Sequence, residues 1–279
     1  MNLNFVLNDY ILIWNLLFQA SISEEVQRFK QKLWKSYRHS YNKLAAEERK
    51  ILKDPKNYIP DDDTIFDMVK ASDIYQTVHE QTEVYRLSLL KTWDEYKKQL
   101  SKDLKDILRF DIKLYHVLVV HPKLNITDMK VVKGKKVNTI TWGRREDLTY
   151  PSEAIISLLN CIVQKELQDF QVEYKEIVQA VIELAINNEL ATRLYGKSVY
   201  LRGDPSLKFL KRQIYPYWLM YLGVSKAEII NYMVRDNIAF DTDKYPYEKQ
   251  LASLDLLAFI EFCIKNQRHI IKISELEII

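Results

Sequence analysis

The stretch DIKLYHVLVV, residues 111 to 120, decides the fold class. On either side of it, apolar residues recur mostly at helical period. Within it, β-branched and aromatic residues crowd together until His121 and Pro122 stop the run. A strand is therefore predicted here. Two further β-rich segments, Met129 to Val132 and Val137 to Trp142, flank Lys133, Gly134, Lys135 and Lys136, which is the pattern of a hairpin. The expectation is an α+β chain, predominantly α-helical, whose helices surround a small mixed sheet with a hairpin at residues about 110–142.

Upstream, Ser21 or Ser23 opens a helix, and Ser21 and Glu24 have capping-box spacing. Val26, Phe29, Leu33, Tyr37, Tyr41 and Leu44 then mark one face of a helix expected over 24–52, and Asp54 with Pro55 ends it. Its other face holds Arg28, Lys30, Lys32, Lys35, Arg38 and Lys43. After a linker with Pro60 and three aspartates, a second helical stretch runs from Thr64 to about Leu108. The segment FVLNDYILIWNLLF, residues 5 to 18, is apolar, but Asn8 and Asp9 interrupt it and the first basic residue is Arg28. A signal peptide needs a positive leading region, and a membrane span needs roughly 20 unbroken apolar residues. A buried helix docked on the core is the expectation, with no membrane partner.

Downstream, helices are expected from Pro151 to about Phe170, from about Val172 to Tyr195, and at about 206–222, 225–235 and 246–266, with Ile270 to Ile273 as a short strand. This divides the chain into an N-terminal helical region (1–109), the sheet with a helix pair (110–195) and a C-terminal helical region (196–279), packed as one unit. The 279 residues are 47% hydrophobic and 28% charged, as in globular proteins, and 5 glycines and 7 prolines favour long helices over a turn-rich all-β fold. A net charge of +3 does not by itself imply a nucleic-acid or anionic-membrane partner. Cys161 and Cys263 sit in apolar helical contexts, which fits a reducing cytoplasm.

Candidate chemistry centres on the helix pair at 151–195. The first helix reads AIISLLNCIVQKEL over 154–167 and the second IVQAVIELAINNELATRL over 177–194. A small sheet followed by two such helices resembles the core of gluzincin-type zincin metallopeptidases. In that family the first helix carries H-E-x-x-H and the second supplies a glutamate ligand. Positions i and i+4 share one helix face, so two imidazoles reach one Zn²⁺ while the adjacent glutamate activates water. The resemblance places Asn160, Cys161 and Gln164 at the motif positions, Glu183 at the third-ligand position and Asn187 one turn on. Yet no histidine lies between His121 and His269. Amides are poor Zn²⁺ ligands and a thiol cannot act as the glutamate base. The resemblance thus implies a degenerate site with no catalytic residue, no metal and no cofactor. Read from the residues alone, Asn160 and Gln164 form a polar edge of two packed helices, and Glu183 pairs with Arg193, Lys165 or another base.

Other signals are weaker. Gly196-Lys197-Ser198 lacks the first glycine of a phosphate loop, and Arg202-Gly203-Asp204 before Pro205 reads as a turn with an Asp cap. His79 and Glu80 lack a second histidine, because Glu83 stands there. His116 and His121, five apart, fall on opposite strand faces. Asp241 and Asp243 read as a turn. Tyr215 to Tyr221 is an aromatic core segment or a groove lining. The resulting expectation is a pseudoenzyme: a catalytically inactive metallopeptidase-like protein that binds a peptide or protein partner. Its cleft would use Val137 to Trp142 as edge strand, above Asn160, Gln164 and Glu183. Two alternatives stay open. One is a helical regulator that binds nucleic acid through the basic face of 24–52. The other is a hydrolase with a non-standard site around Cys161.

Overall fold

The computed structural model describes residues 1–54, 57–124, 131–132, 138–144, 150–167, 174–196, 202–235 and 248–270. It is an α+β structure, predominantly helical. The chain forms two compact units, Met1–Lys97 with Lys113–Leu158, and Lys98–Ile112 with Leu159–Ile279.

The first unit contains the sheet. Strands β1 (Leu3–Val6), β2 (Tyr115–Val119), β3 (Val131–Val132) and β4 (Asn138–Trp142) are ordered β1-β2-β4-β3. β1 and β2 are parallel with Leu3 opposite Tyr115, β2 and β4 are parallel with Tyr115 opposite Asn138, and β3 is antiparallel to β4 with Val132 opposite Thr139. The strand and hairpin read from the sequence are present, although the turn at 133–137 lies outside the described residues. β2 buries Tyr115, Val117, Leu118 and Val119, as a strand paired on both sides does. Gly143 ends β4 where a Cβ would meet Val120 Cγ2 at 2.7 Å and His121 O at 2.9 Å, so only glycine lets the chain leave at that point.

Two expectations are corrected here. Residues 3–6 are a strand, not the start of a helix, because Leu3 and Phe5 alternate inward while Asn8 caps the helix that follows, its Oδ1 accepting from Ile11 N at 3.0 Å. And β4 is not an edge strand, because β2 and β3 pair with it on either side.

The helices of this unit are α1 (Asp9–Phe18), α2 (Glu24–Ser36), α3 (Arg38–Ala46), α4 (Glu48–Lys53), α5 (Thr64–Lys70) and most of the 36-residue α6 (Asp73–Leu108). α1 buries Ile11, Leu12, Ile13, Leu16 and Leu17 at the centre of a cluster joined by Val26, Leu33, Leu44 and Phe66. The helix expected over 24–52 is three helices. It breaks first at Tyr37, whose backbone leaves the helical region at φ −134°. Beyond the break, Tyr41 donates to Leu17 O at 3.0 Å and packs its ring on Phe18, which docks α3 on the end of α1. At the other end of α2, Ser23, not Ser21, is the cap, its hydroxyl accepting from Val26 N at 3.2 Å.

The second unit holds the end of α6, the second half of α7 (Pro151–Glu166), α8 (Lys175–Glu183), a π-helical segment (Leu184–Leu190) and α9 (Ala191–Tyr195). It continues with α10 (Lys208–Tyr221), α11 (Lys226–Arg235), α12 (Glu248–Ala252), α13 (Leu256–Lys265) and α14 (Gln267–Ile270). The segment Tyr215 to Tyr221 is mainly core: Trp218 and Tyr221 are buried, stacked on each other and packed against Phe259. The helix expected over 246–266 is divided by an Asp255 cap, and Ile270 closes α14 instead of opening a strand. Of the expected 270–273 strand, 271–273 lie outside the described residues, as do Asp241, Asp243, Lys197 and Ser198.

Arg109 organises this unit. Its backbone turns left-handed (φ 58°) just after α6, and its guanidinium donates to Ala252 O and Leu254 O at 2.6 Å each and to Tyr221 O at 2.8 Å. Ala252 and Tyr221 end α12 and α10, so one cation serves the carbonyl ends of two helices while lying over the Tyr221 ring. Arg109→Ala is expected to lower stability by about 3 kcal/mol in chemical denaturation, and Arg109→Lys to restore less than half of that, because an ammonium lacks the forked donors.

Candidate functional site

Asn160 and Gln164 stand one helical turn apart on α7. Gln164 Nε2 donates to Asn160 Oδ1 at 2.7 Å, and Asn160 Nδ2 donates to Asn187 Oδ1 at 3.1 Å. Asn187 lies in the π-helical segment. Its amide and the Glu183 carboxylate both border Gly203, where an added Cβ would fall 2.3 Å from Glu183 Oε2 and 2.9 Å from Asn187 Nδ2. Gly203 also has φ +118°, so glycine is required by both space and conformation. The structure therefore joins Gln164, Asn160 and Asn187 in one hydrogen-bonded chain within the second unit and sets Glu183 beside its end, across Gly203. Cys161, on the next position of α7, is half-buried.

The carboxylate of Glu183 has a partner that the sequence reading did not name. Lys211, on α10, places Nζ 2.6 Å from Glu183 Oε2, with side-chain exposures of 0% and 5% for the lysine and the glutamate. Both carboxylate oxygens also accept from Asp204 N at 3.1 Å, and Lys211 donates to Arg202 O at 3.0 Å. Asn188 completes the arrangement. Its Oδ1 accepts from Arg202 N at 2.8 Å, and its Nδ2 donates to Arg202 O at 3.3 Å and to Glu183 O at 2.7 Å. The Arg202–Asp204 turn is thus clamped on the π-helical segment by one amide and one ion pair. Asp204 accepts from Ser206 N at 2.9 Å and caps the short 3₁₀ turn Pro205–Leu207, as its sequence pattern suggests. Arg193 is not the partner of Glu183; it bonds Glu189 at 2.7 Å and Asp106 at 2.8 Å.

Chemically, this arrangement binds its own backbone. A carboxylate that would hold a metal or activate water needs free lone pairs facing an accessible site. Glu183 instead faces an ammonium and a peptide N–H. Among the described residues, no three His, Cys, Asp or Glu side chains gather closely enough to hold a metal ion. Burying two charges is costly unless they meet each other with good hydrogen-bond geometry, and the Glu183–Lys211 pair meets that condition.

A second feature lies in the first unit. Ile22, Val26, Ile74 and Val78 wall a cleft of about 220 Å³ between α2 and α6, with Glu25, Asp73, Thr77 and Lys123 also lining it. His121 stands at its base, buried, with Nδ1 accepting from Lys123 N at 3.2 Å and Nε2 facing Gln81 Oε1 at 2.8 Å. The backbone donor at Nδ1 assigns the proton to Nε2. Burial first, and then the Lys123 charge, lower its pKa from the ordinary 6.5 to about 4. Both ring nitrogens of His121 are thus engaged inside its own unit.

Comparison of the chain with protein-family models, with curated proteins and with solved structures finds no match. Among the described residues, no helix is long and apolar enough to cross a membrane.

Lys211→Ala is expected to cost about 3–5 kcal/mol by leaving the Glu183 charge buried and unpaired. The double variant Glu183→Leu/Lys211→Met should recover most of that loss in urea titrations. For His121 the direction of the pH effect follows from its lowered pKa. Below pH 6.5 the unfolded chain takes up a proton that the folded chain refuses, so stability falls as pH drops toward 4. The stability difference between the native chain and His121→Asn is expected to be largest at pH 7 and to shrink steadily by pH 4.5.

Proposed function

We propose that this chain is a catalytically inactive, metallopeptidase-like protein that acts as a binding module for a peptide or protein partner. The observation that carries this reading is the ion pair between Lys211 and Glu183. The position that resembles a third zinc ligand already has a cation from its own chain, and the amides at the motif positions bond to one another. What remains of the resemblance serves to hold a turn.

The cleft between α2 and α6 is the surface that suits a partner. Its volume accommodates one or two side chains, four aliphatic side chains face into it among polar ones, and Glu25 and Asp73 are both exposed there. A peptide that inserts an aliphatic stem ending in a cationic group would satisfy both features. The two thiols, in no disulfide, fit a reducing compartment such as the cytoplasm; burial holds the Cys263 thiol well above its ordinary pKa, so it behaves as a small core hydrophobe.

Peptides selected from a random display library against the intact protein test this reading. They are expected to bind with dissociation constants of about 1–100 µM, to remain uncleaved, and to lose at least tenfold in affinity on Thr77→Trp or Ile74→Arg. Binding should be unchanged in Glu183→Leu/Lys211→Met. Cleavage of the peptides that disappears on Cys161→Ser would instead favour a hydrolase.

A further inference from the structure

From Val26 to Ala46 the chain carries no aspartate or glutamate, yet six Lys and Arg residues fall in that interval. The structure sorts these cations. Lys30 donates to Gln19 O at 2.7 Å, and Arg28 is bonded to Glu24 at 3.3 Å. Lys32, Lys35 and Arg38 are exposed, and among the described residues no carboxylate lies within ion-pair distance of them. Lys32 and Lys35 are three apart on α2 and so lie on one face, with Cβ atoms about 5–6 Å apart.

Beside them stands Trp34, 40% exposed, whereas the other tryptophans are exposed by 7% or less. The break in the helix at Tyr37, itself 38% exposed, brings the Arg38 guanidinium to 5.0 Å from the Trp34 ring centroid. The result is a corner with a part-exposed indole, a cation over its ring and two ammonium groups alongside that have no carboxylate partner among the described residues.

We propose that this corner of Lys32, Trp34, Lys35, Tyr37 and Arg38 binds single-stranded nucleic acid. Phosphates would neutralise the cations and an unpaired base would stack on Trp34. The charge calls for an anionic partner, and the exposed indole narrows the choice. An acidic peptide offers carboxylates but no ring to cover the indole. A membrane surface requires an apolar helix face that can insert, whereas Val26, Phe29 and Leu33 of α2 pack on the core and leave Trp34 alone among cations. A duplex keeps its bases stacked on each other and out of reach of Trp34. This surface is independent of the cleft at the other end of α2.

The test is fluorescence anisotropy of a labelled twelve-residue oligothymidylate titrated with the intact protein. Binding is expected at low salt, with a log–log salt slope of about −2 for three phosphate contacts. Intrinsic fluorescence should be quenched on binding, because Trp34 is the exposed indole. Trp34→Ala is expected to weaken binding about tenfold or more, while Trp34→Phe keeps most of it, as stacking requires. Lys32→Glu/Lys35→Glu should weaken binding at least tenfold and flatten the salt slope. Both substitutions lie on the surface, and an unchanged thermal midpoint would confirm that the fold persists. No binding, salt-insensitive binding, or equal affinity for a duplex, polyglutamate or anionic phosphatidylserine vesicles would each overturn the proposal. So would full binding by Trp34→Ala.

Discussion

A buried carboxylate and a buried ammonium, Glu183 and Lys211, are the constraint on which the second unit depends. Neither charge can be accommodated alone in that interior, because the loss of hydration outweighs anything else the site offers a single ion. Each also holds backbone: Glu183 takes the Asp204 N–H and Lys211 takes the Arg202 carbonyl. The pair therefore ties α8, the 202–204 turn and α10 together. Its geometry requires Gly203, since any side chain there would strike the carboxylate. The π-helical segment belongs to the same constraint. It places Asn188 to bond both the N–H and the carbonyl of Arg202 while Asn187 turns toward Asn160.

Much of the architecture was legible in the sequence because it rests on local periodicity. The β-rich run at 111–120, the hairpin partners and the long helices all follow from side-chain spacing and stop signals. What was misread depends on partners distant in sequence. Residues 3–6 pair with 115–118, and nothing local distinguishes so short a strand from the apolar helix beside it. The inner position of β4 likewise follows from its parallel pairing with β2, more than twenty residues upstream, which no local pattern announces. The break at Tyr37 similarly carries no glycine or proline to announce it.

The polar chain was legible in part. Asn160, Gln164, Glu183 and Asn187 share faces through helical spacing, and the structure does bring them together. Lys211 was missed, although the sequence held a sign of it. Leu207, Leu210, Lys211, Ile214 and Trp218 follow the spacing of one buried face, with a lysine among the apolar residues. A cation on such a stripe needs a buried anion, and Glu183 is the glutamate on the matching apolar helix. Gly203 and Asn188 gave no such sign, because their roles exist only once the turn has docked.

The parallel pairing of β1 with β2 has a consequence for how the chain is made. Leu3 and Tyr115 are neighbours across the sheet, so β1 leaves the ribosome long before its partner exists. At about 5–20 residues per second, the delay is on the order of 6–20 s. During that interval the apolar α1 segment can collapse with α2 to α5, whose contacts are close in sequence, whereas the edge strand waits. The second unit has the same difficulty in reverse: its residues 98–112 are synthesised before the intervening piece of the first unit, then wait for 159 onward. Each unit is interrupted by part of the other along the chain, so neither can be completed in a simple N-to-C order. Synthesis rate and chaperone access during those seconds, more than final stability, would then govern how much of the chain reaches the native state.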